Sequence, residues 1–145
     1  MIIYTLGTSN RGPEEFIEIL KFYNISAVAD VRRWPVSQRF SHFKKENLKK
    51  LLKNHNILYY HFENLGGYRI EKYNNYMKTE NFKKAFKELV NIAENILTCI
   101  ICAEKFPWKC HRRFISKALE DLGFEVLHII EKEKIWKPKF PLFLP

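Results

Sequence analysis

The chain has 145 residues, a formal net charge of +9 and 46% hydrophobic residues, a length and balance that predict one soluble domain with a real core. It has no run of 18 or more apolar residues and no leader pattern, which argues against a membrane-spanning helix and predicts a cytoplasmic protein. Three cysteines, Cys99, Cys102 and Cys110, are an odd number and do not read as a secreted disulfide framework.

Residues 2–6 read as a first strand, and Gly7-Thr-Ser-Asn-Arg-Gly12 as the turn behind it. A helix is expected from Pro13, with Pro at the favoured first position, Glu14 and Glu15 in the first turn, and Phe16, Ile19, Leu20 and Tyr23 as its apolar stripe. Residues 26–31 form a second strand whose small and branched side chains suit a sheet covered on both faces. Residues 32–40, with Arg32, Arg33, Trp34, Arg39 and Phe40, are too polar for core and predict a long loop. A basic helix follows over about 44–55, with Leu48, Leu51 and Leu52 inward and its lysines in water. Residues 57–62 are the third strand, and Leu65-Gly-Gly-Tyr-Arg69 its turn. Residues 74–95 predict one broken helix or two short ones.

Residues 98–103 make the fourth strand. Behind it comes the densest chemistry in the chain, Cys102-Ala-Glu-Lys-Phe-Pro-Trp-Lys-Cys-His-Arg-Arg113. Pro107 breaks the loop, a helix is expected from near Cys110, and Gly123 sits where a left-handed cap belongs. His111, Arg112 and Arg113 then fall in the first turn, where the helix dipole disfavours cations by roughly 0.3–1 kcal/mol each, and a bound anion would offset that. Residues 124–130 give a fifth strand and close a domain of residues 1–130. Residues 131–145 read as a basic and aromatic tail, with Trp136, Phe140 and Phe143, that packs on the domain or on a second copy in a homodimer.

Alternating strands and helices predict a single-domain three-layer α/β/α fold, Rossmann-like, with a mainly parallel sheet of about five strands in the order 3-2-1-4-5. In such a sheet every loop after a strand emerges on one edge. The chain has eighteen Lys but seven Arg, and all seven Arg follow predicted strands. That bias points to bidentate recognition of carboxylate or phosphate. Ser9, Asn10, Arg11, Arg32, Arg39 and Arg112 are the anion-binding candidates.

Asp30 is either a general base or an acid that holds an Arg in place, and Glu104 carries the same choice. His111 completes the catalytic candidates. Cys102 and Cys110 are candidate thiols, since a cysteine at a helix start beside His and Arg has its thiolate favoured. Their spacing matches no common zinc module, so no metal ligand is assigned and no cofactor is named. Cys-x5-Arg, the cysteine phosphatase spacing, is absent, because Trp108 stands where Arg would be. Trp34, Tyr68 and Trp108 are candidates for stacking on a base. His42, His55, His61 and His128 read as ordinary hydrogen-bond partners.

Taken together, Gly7-Thr-Ser-Asn-Arg11, the stretch from Asp30 to Phe40, Leu65-Gly-Gly67, and Cys102-Ala-Glu104 with Cys110-His-Arg112 resemble the signature blocks of the domain-of-unknown-function family 488. The resemblance implies a small cytoplasmic α/β domain of prokaryotes and brings no activity with it. From the residues, the first expectation is an enzyme, a hydrolase, acting on a phosphate-bearing nucleotide or nucleic acid. The second is a non-catalytic nucleic-acid-binding module, and the third a thiol or metal protein built on Cys102, Cys110 and His111. The partner in the first two is an anionic ligand, with no membrane involved.

Overall fold

A computed structural model of the chain describes residues 1–67, 69 and 72–137. The predicted stacking residue Tyr68, and Phe140 and Phe143 of the tail on which the homodimer expectation rests, lie outside the described residues. The order of elements is β1 (Ile2–Gly7), α1 (Pro13–Phe22), β2 (Ala27–Asp30), α2 (Lys45–Lys53), β3 (Leu58–His61), α3 (Tyr73–Tyr76), α4 (Glu80–Asn95), β4 (Thr98–Cys102), α5 (Arg112–Asp121), β5 (Glu125–Glu131) and β6 (Lys134–Trp136). Among the described residues no helix is long and apolar enough to cross a membrane.

The local signals act as expected at several points. Pro13 opens α1 with Glu14 and Glu15 in its first turn. The Thr79 hydroxyl accepts a hydrogen bond from the Phe82 N–H and so satisfies one of the free donors at the head of α4. Gly123 has φ +97° just past α5, a conformation that costs glycine nothing. Residues 74–95 split into α3 and α4, and α5 begins at Arg112 rather than at Cys110.

The sheet is α/β with six strands in the order β3-β2-β4-β1-β5-β6. All neighbours are parallel except β5 and β6, which form an antiparallel hairpin. This corrects the expected order 3-2-1-4-5: β4 lies between β2 and β1. Both β1 and β4 are apolar enough for an interior place, but all five residues of β4 are buried, whereas β1 carries an exposed Ile2 and a half-buried Tyr4. The more deeply apolar strand takes the centre. The first residues beyond Ile130 also join the sheet, since β5 runs to Glu131 and β6 covers its edge.

Side chains alternate across the sheet. One face packs Leu6, Val28, Cys99 and Ile101 under α1 and α2 through Phe16, Leu20, Leu48 and Leu52. The other packs Ile3, Ala29, Ile100 and Cys102 under α4 and α5 through Phe82, Leu89, Ile115 and Leu119. Each such fully buried aliphatic side chain contributes about 1.5–3 kcal/mol of transfer free energy. The crossover from β2 runs outward to β3, and the crossover from β4 runs the opposite way to β5. The reversal therefore falls between β2 and β4, and in open α/β sheets a crevice forms at that place, outside the carboxyl ends of the strands.

Candidate functional site

A cleft of about 530 Å³ opens at this reversal, lined by Arg32, Arg33 and Trp34 from the loop after β2 and by Gly67 from the loop after β3. The loop after β4 closes it with Cys102, Ala103, Glu104, Lys109, Cys110 and His111. A larger groove of about 630 Å³ runs along α1 and includes Ile17, Phe22 and Leu51. Its charged groups are surface ones, with Lys132 paired to Glu18 at 2.6 Å, so polar chemistry converges in the smaller cleft.

Two thiols face each other there. Cys102, the last residue of β4, is buried, and Cys110, just before α5, is half-buried. Their Sγ atoms are 2.8 Å apart. The loop between them returns on itself through a 3₁₀ turn at Pro107–Lys109. The Arg112 N–H, a free donor at the head of α5, lies 3.5 Å from Cys110 Sγ. His111 Nε2 is 3.0 Å from the Val31 carbonyl. A carbonyl only accepts, so Nε2 carries a proton, and the other ring nitrogen, Nδ1, lies 3.6 Å from Cys110 Sγ. The Tyr73 ring backs the imidazole at 5.4 Å between centroids.

These contacts push the two thiols apart in acidity. The hydrogen bond from Cys102 and the contacts with His111 and the Arg112 N–H hold the Cys110 thiol well below its ordinary pKa, against the opposing effect of burial. Burial pushes the Cys102 thiol well above its own. The contacts thus favour the thiolate at Cys110, with the Cys102 thiol as its donor, the arrangement expected of a reactive cysteine at a helix start. Cys99 points to the opposite face, and burial likewise raises its pKa.

Asp30 is fully buried and saturated with donors. Its Oδ1 accepts from the Arg32 backbone N–H at 3.1 Å and from Arg32 Nε at 2.9 Å. Its Oδ2 accepts from Arg32 Nη2 at 2.7 Å and from the Tyr59 hydroxyl at 2.6 Å. This is the holding role, and it fixes the Arg32 guanidinium at the cleft wall. Nη1 is then the guanidinium nitrogen with no hydrogen bond among the described residues. Glu104, by contrast, is exposed on the cleft rim.

Arg112 is completely buried. It donates to Thr5 Oγ1 at 2.9 Å and to the Glu104 and Lys105 carbonyls at 2.7 and 3.0 Å. Thr5 Oγ1 also lies 2.6 Å from His128 Nδ1, and burial together with Arg112 lowers the His128 pKa to about 3. Arg11, also buried, donates to the Gly7 carbonyl at 2.8 Å and the Ile130 carbonyl at 2.6 Å, and pairs with Glu15. Both arginines clamp backbone and stand off the cleft.

Ser9, Asn10 and Arg39 are not among the cleft-lining residues either. Ser9 has φ 49° and bonds Asn10 weakly at 3.4 Å, while the exposed Arg39 lies over the Phe40 ring. Trp34 is exposed in the cleft, with the Arg33 guanidinium 4.7 Å from its ring centroid. Trp108 stacks on Phe106 and meets Trp136 edge-on, outside the cleft lining. Lys109 and Arg33, which are not among the six anion-binding candidates, do line the cleft; the clustering of all seven Arg behind strands pointed to Arg33, and adjacency to Cys110 was the signal for Lys109. Among the described residues no group of three or more His, Cys, Asp and Glu could hold a metal ion.

The family model described as domain of unknown function DUF488 matches residues 12–119, more than half of the chain. No curated protein and no solved structure gives a significant match.

Proposed function

The chain belongs to the DUF488 family, whose description states no activity, and from the cleft we propose an enzyme that hydrolyses a phosphate ester with Cys110 as its nucleophile. The observation that carries this is the position of Cys110 at the head of α5, its Sγ 2.8 Å from that of the buried Cys102, in a cleft whose other walls bring Arg32, Arg33 and Lys109. Arg32 is largely neutralised by Asp30. The cleft lining also carries the cationic side chains of Arg33 and Lys109 beside Glu104. An anionic substrate is what such a site attracts. Trp34 beside Arg33 offers a flat surface for a base, which favours a nucleotide or the end of a nucleic acid over a simple phosphate monoester.

In the reaction, Cys110 Sγ bonds to phosphorus and the ester oxygen leaves, taking a proton from solvent. Water then cleaves the sulfur–phosphorus bond, Glu104 accepts the proton, and the thiolate is restored with phosphate as product. Cys102 keeps its proton throughout and stabilises the charge on Cys110 between turnovers. His111, tethered to Val31, and Asp30, which orients Arg32, are positioning residues.

The test pairs turnover with protection. The protein is offered p-nitrophenyl phosphate and nucleoside monophosphates, and the alkylation of Cys110 by iodoacetamide is followed with and without inorganic phosphate at constant ionic strength. The expected result is turnover that vanishes in Cys110→Ser and alkylation slowed saturably by phosphate. No turnover of these esters, together with alkylation that ignores phosphate, would overturn the proposal.

A further inference from the structure

We infer that Cys102 and Cys110 are a hydroperoxide-reactive site that closes reversibly into an intramolecular disulfide. A cysteine nucleophile for hydrolysis needs one sulfur, and this cleft holds two, with the second fully packed at a strand end directly behind the first. The sulfurs are 2.8 Å apart, and a disulfide needs about 2.04 Å, so closure asks for less than 1 Å of movement. The residue free to supply it is Cys110, half-buried on a loop with a 3₁₀ turn just before it, while Cys102 is fixed in the central strand of the sheet. The reactive partner is thus the accessible one and the resolving partner the buried one. Cys99 cannot compete, since its side chain lies on the other face of β4 among Leu6, Val28 and Ile101.

The steps balance without any reagent beyond the peroxide. Cys110 thiolate attacks the terminal oxygen of a hydroperoxide, the O–O bond breaks, and the released alkoxide or hydroxide takes a proton from solvent to leave as alcohol or water. Cys110 is then a sulfenic acid. Cys102 sulfur attacks Cys110 Sγ, the S–OH bond breaks, and the departing hydroxide leaves as water with the thiol proton of Cys102. Two electrons pass from the two sulfurs to the peroxide. An external dithiol returns them. Where the phosphate-ester reading holds, the same bridge removes its nucleophile, and hydrolysis stops until reduction.

The experiment uses the full chain, reduced and then exposed to one equivalent of hydrogen peroxide at neutral pH, read by intact mass and by fragmentation of its peptides. The expected product is lighter by two hydrogens, bridged between Cys102 and Cys110, with Cys99 still alkylatable after denaturation, and dithiothreitol restores the starting mass. In Cys102→Ser the resolving sulfur is gone, and Cys110 instead gains one oxygen and is captured by dimedone. The proposal is overturned if the wild-type protein accumulates sulfinic acid at Cys110 with Cys102 still a free thiol, or if peroxide leaves all three thiols untouched. Because this readout needs no turnover, a bridge in a protein that hydrolyses no phosphate ester sinks the hydrolase reading alone. Hydrolysis that depends on Cys110 yet survives stoichiometric peroxide unchanged sinks only the redox site.

Discussion

Replacing Cys102 by Ala tests the electrostatics of the thiol pair directly. The substitution removes the donor that contacts Cys110 Sγ at 2.8 Å, the largest of the effects that hold the Cys110 thiol acidic. A hydrogen bond to a charged group contributes about 1.5–3 kcal/mol, and about 1.4 kcal/mol corresponds to one pKa unit. Because S–H is a weak donor, the expected rise for Cys110 is at the low end, about one unit. His111 Nδ1 and the Arg112 N–H still contact the sulfur, so the variant should remain below a free thiol, whose pKa is about 8.5. The assay is the pH dependence of iodoacetamide alkylation at Cys110, followed by mass spectrometry with Cys99 as the buried reference. A thiol with a lowered pKa alkylates at its plateau rate above that value and slows only as pH falls through it. Wild type should therefore inflect well below about 8.5, and Cys102→Ala should inflect higher than wild type. Cys102→Ser, which keeps an O–H donor, should lie between them. Superimposable profiles for wild type and Cys102→Ala, or a wild-type inflection at the free-thiol value, would refute the shared-proton argument.

Three further outcomes follow from buried contacts. Gly7→Ala places a Cβ on the Glu104 carbonyl and the Lys105 Cα, so one loop must shift; the expected cost is about 1–3 kcal/mol in urea unfolding, and a variant as stable as wild type would contradict the packing described. Arg112→Ala leaves Thr5 and the Glu104 and Lys105 carbonyls without their donor, and at about 1 kcal/mol or more each it should lose about 3 kcal/mol or more, read in the same way. His128 is held neutral down to about pH 3, whereas in the unfolded chain it gains a proton near its ordinary value. Below that value the unfolded state binds the extra proton, so stability falls with pH, by about 2 kcal/mol between pH 6.5 and pH 5. His128→Asn should flatten that slope, and an unchanged slope would place the titration elsewhere.

The order of elements was legible in the sequence because each rests on local physics: the helical stripe of Phe16, Ile19 and Leu20, the Gly123 cap, and the alternation of strand and helix. Strand order was not, because it is a choice between two apolar strands for one central place. Both β1 and β4 can be interior, and only the packed sheet shows that Ile100 and Ile101 are buried more completely than the start of β1. That single exchange moves the crevice. With β1 at the centre it would open between the loops after β1 and β4, and Ser9, Asn10 and Arg11 would line it. With β4 at the centre it opens between the loops after β2 and β4, where Arg32, Arg33 and Trp34 meet Cys102 and Cys110.

The arginines show why one compositional signal has two physical meanings. Arg in a lysine-rich chain marks places where a rigid fork of five donors does something a lysine cannot. One such task is gripping an anion. Another is gathering several backbone carbonyls that loops leave unpaired at the ends of strands, and Arg112 does this with Glu104 and Lys105 while Arg11 does it with Gly7 and Ile130. The residue types are the same, and only the position of the nearest carbonyl, fixed by the tertiary fold, separates the two. The clamp still bears on chemistry. The segment it pins, Glu104 and Lys105, is the start of the loop that carries Cys110 back to Cys102, and the backbone N–H of the same Arg112 caps the Cys110 sulfur. The Arg112 side chain therefore serves the cleft without lining it, by holding the return from Cys102 to Cys110 at the separation on which the acidity of Cys110 depends.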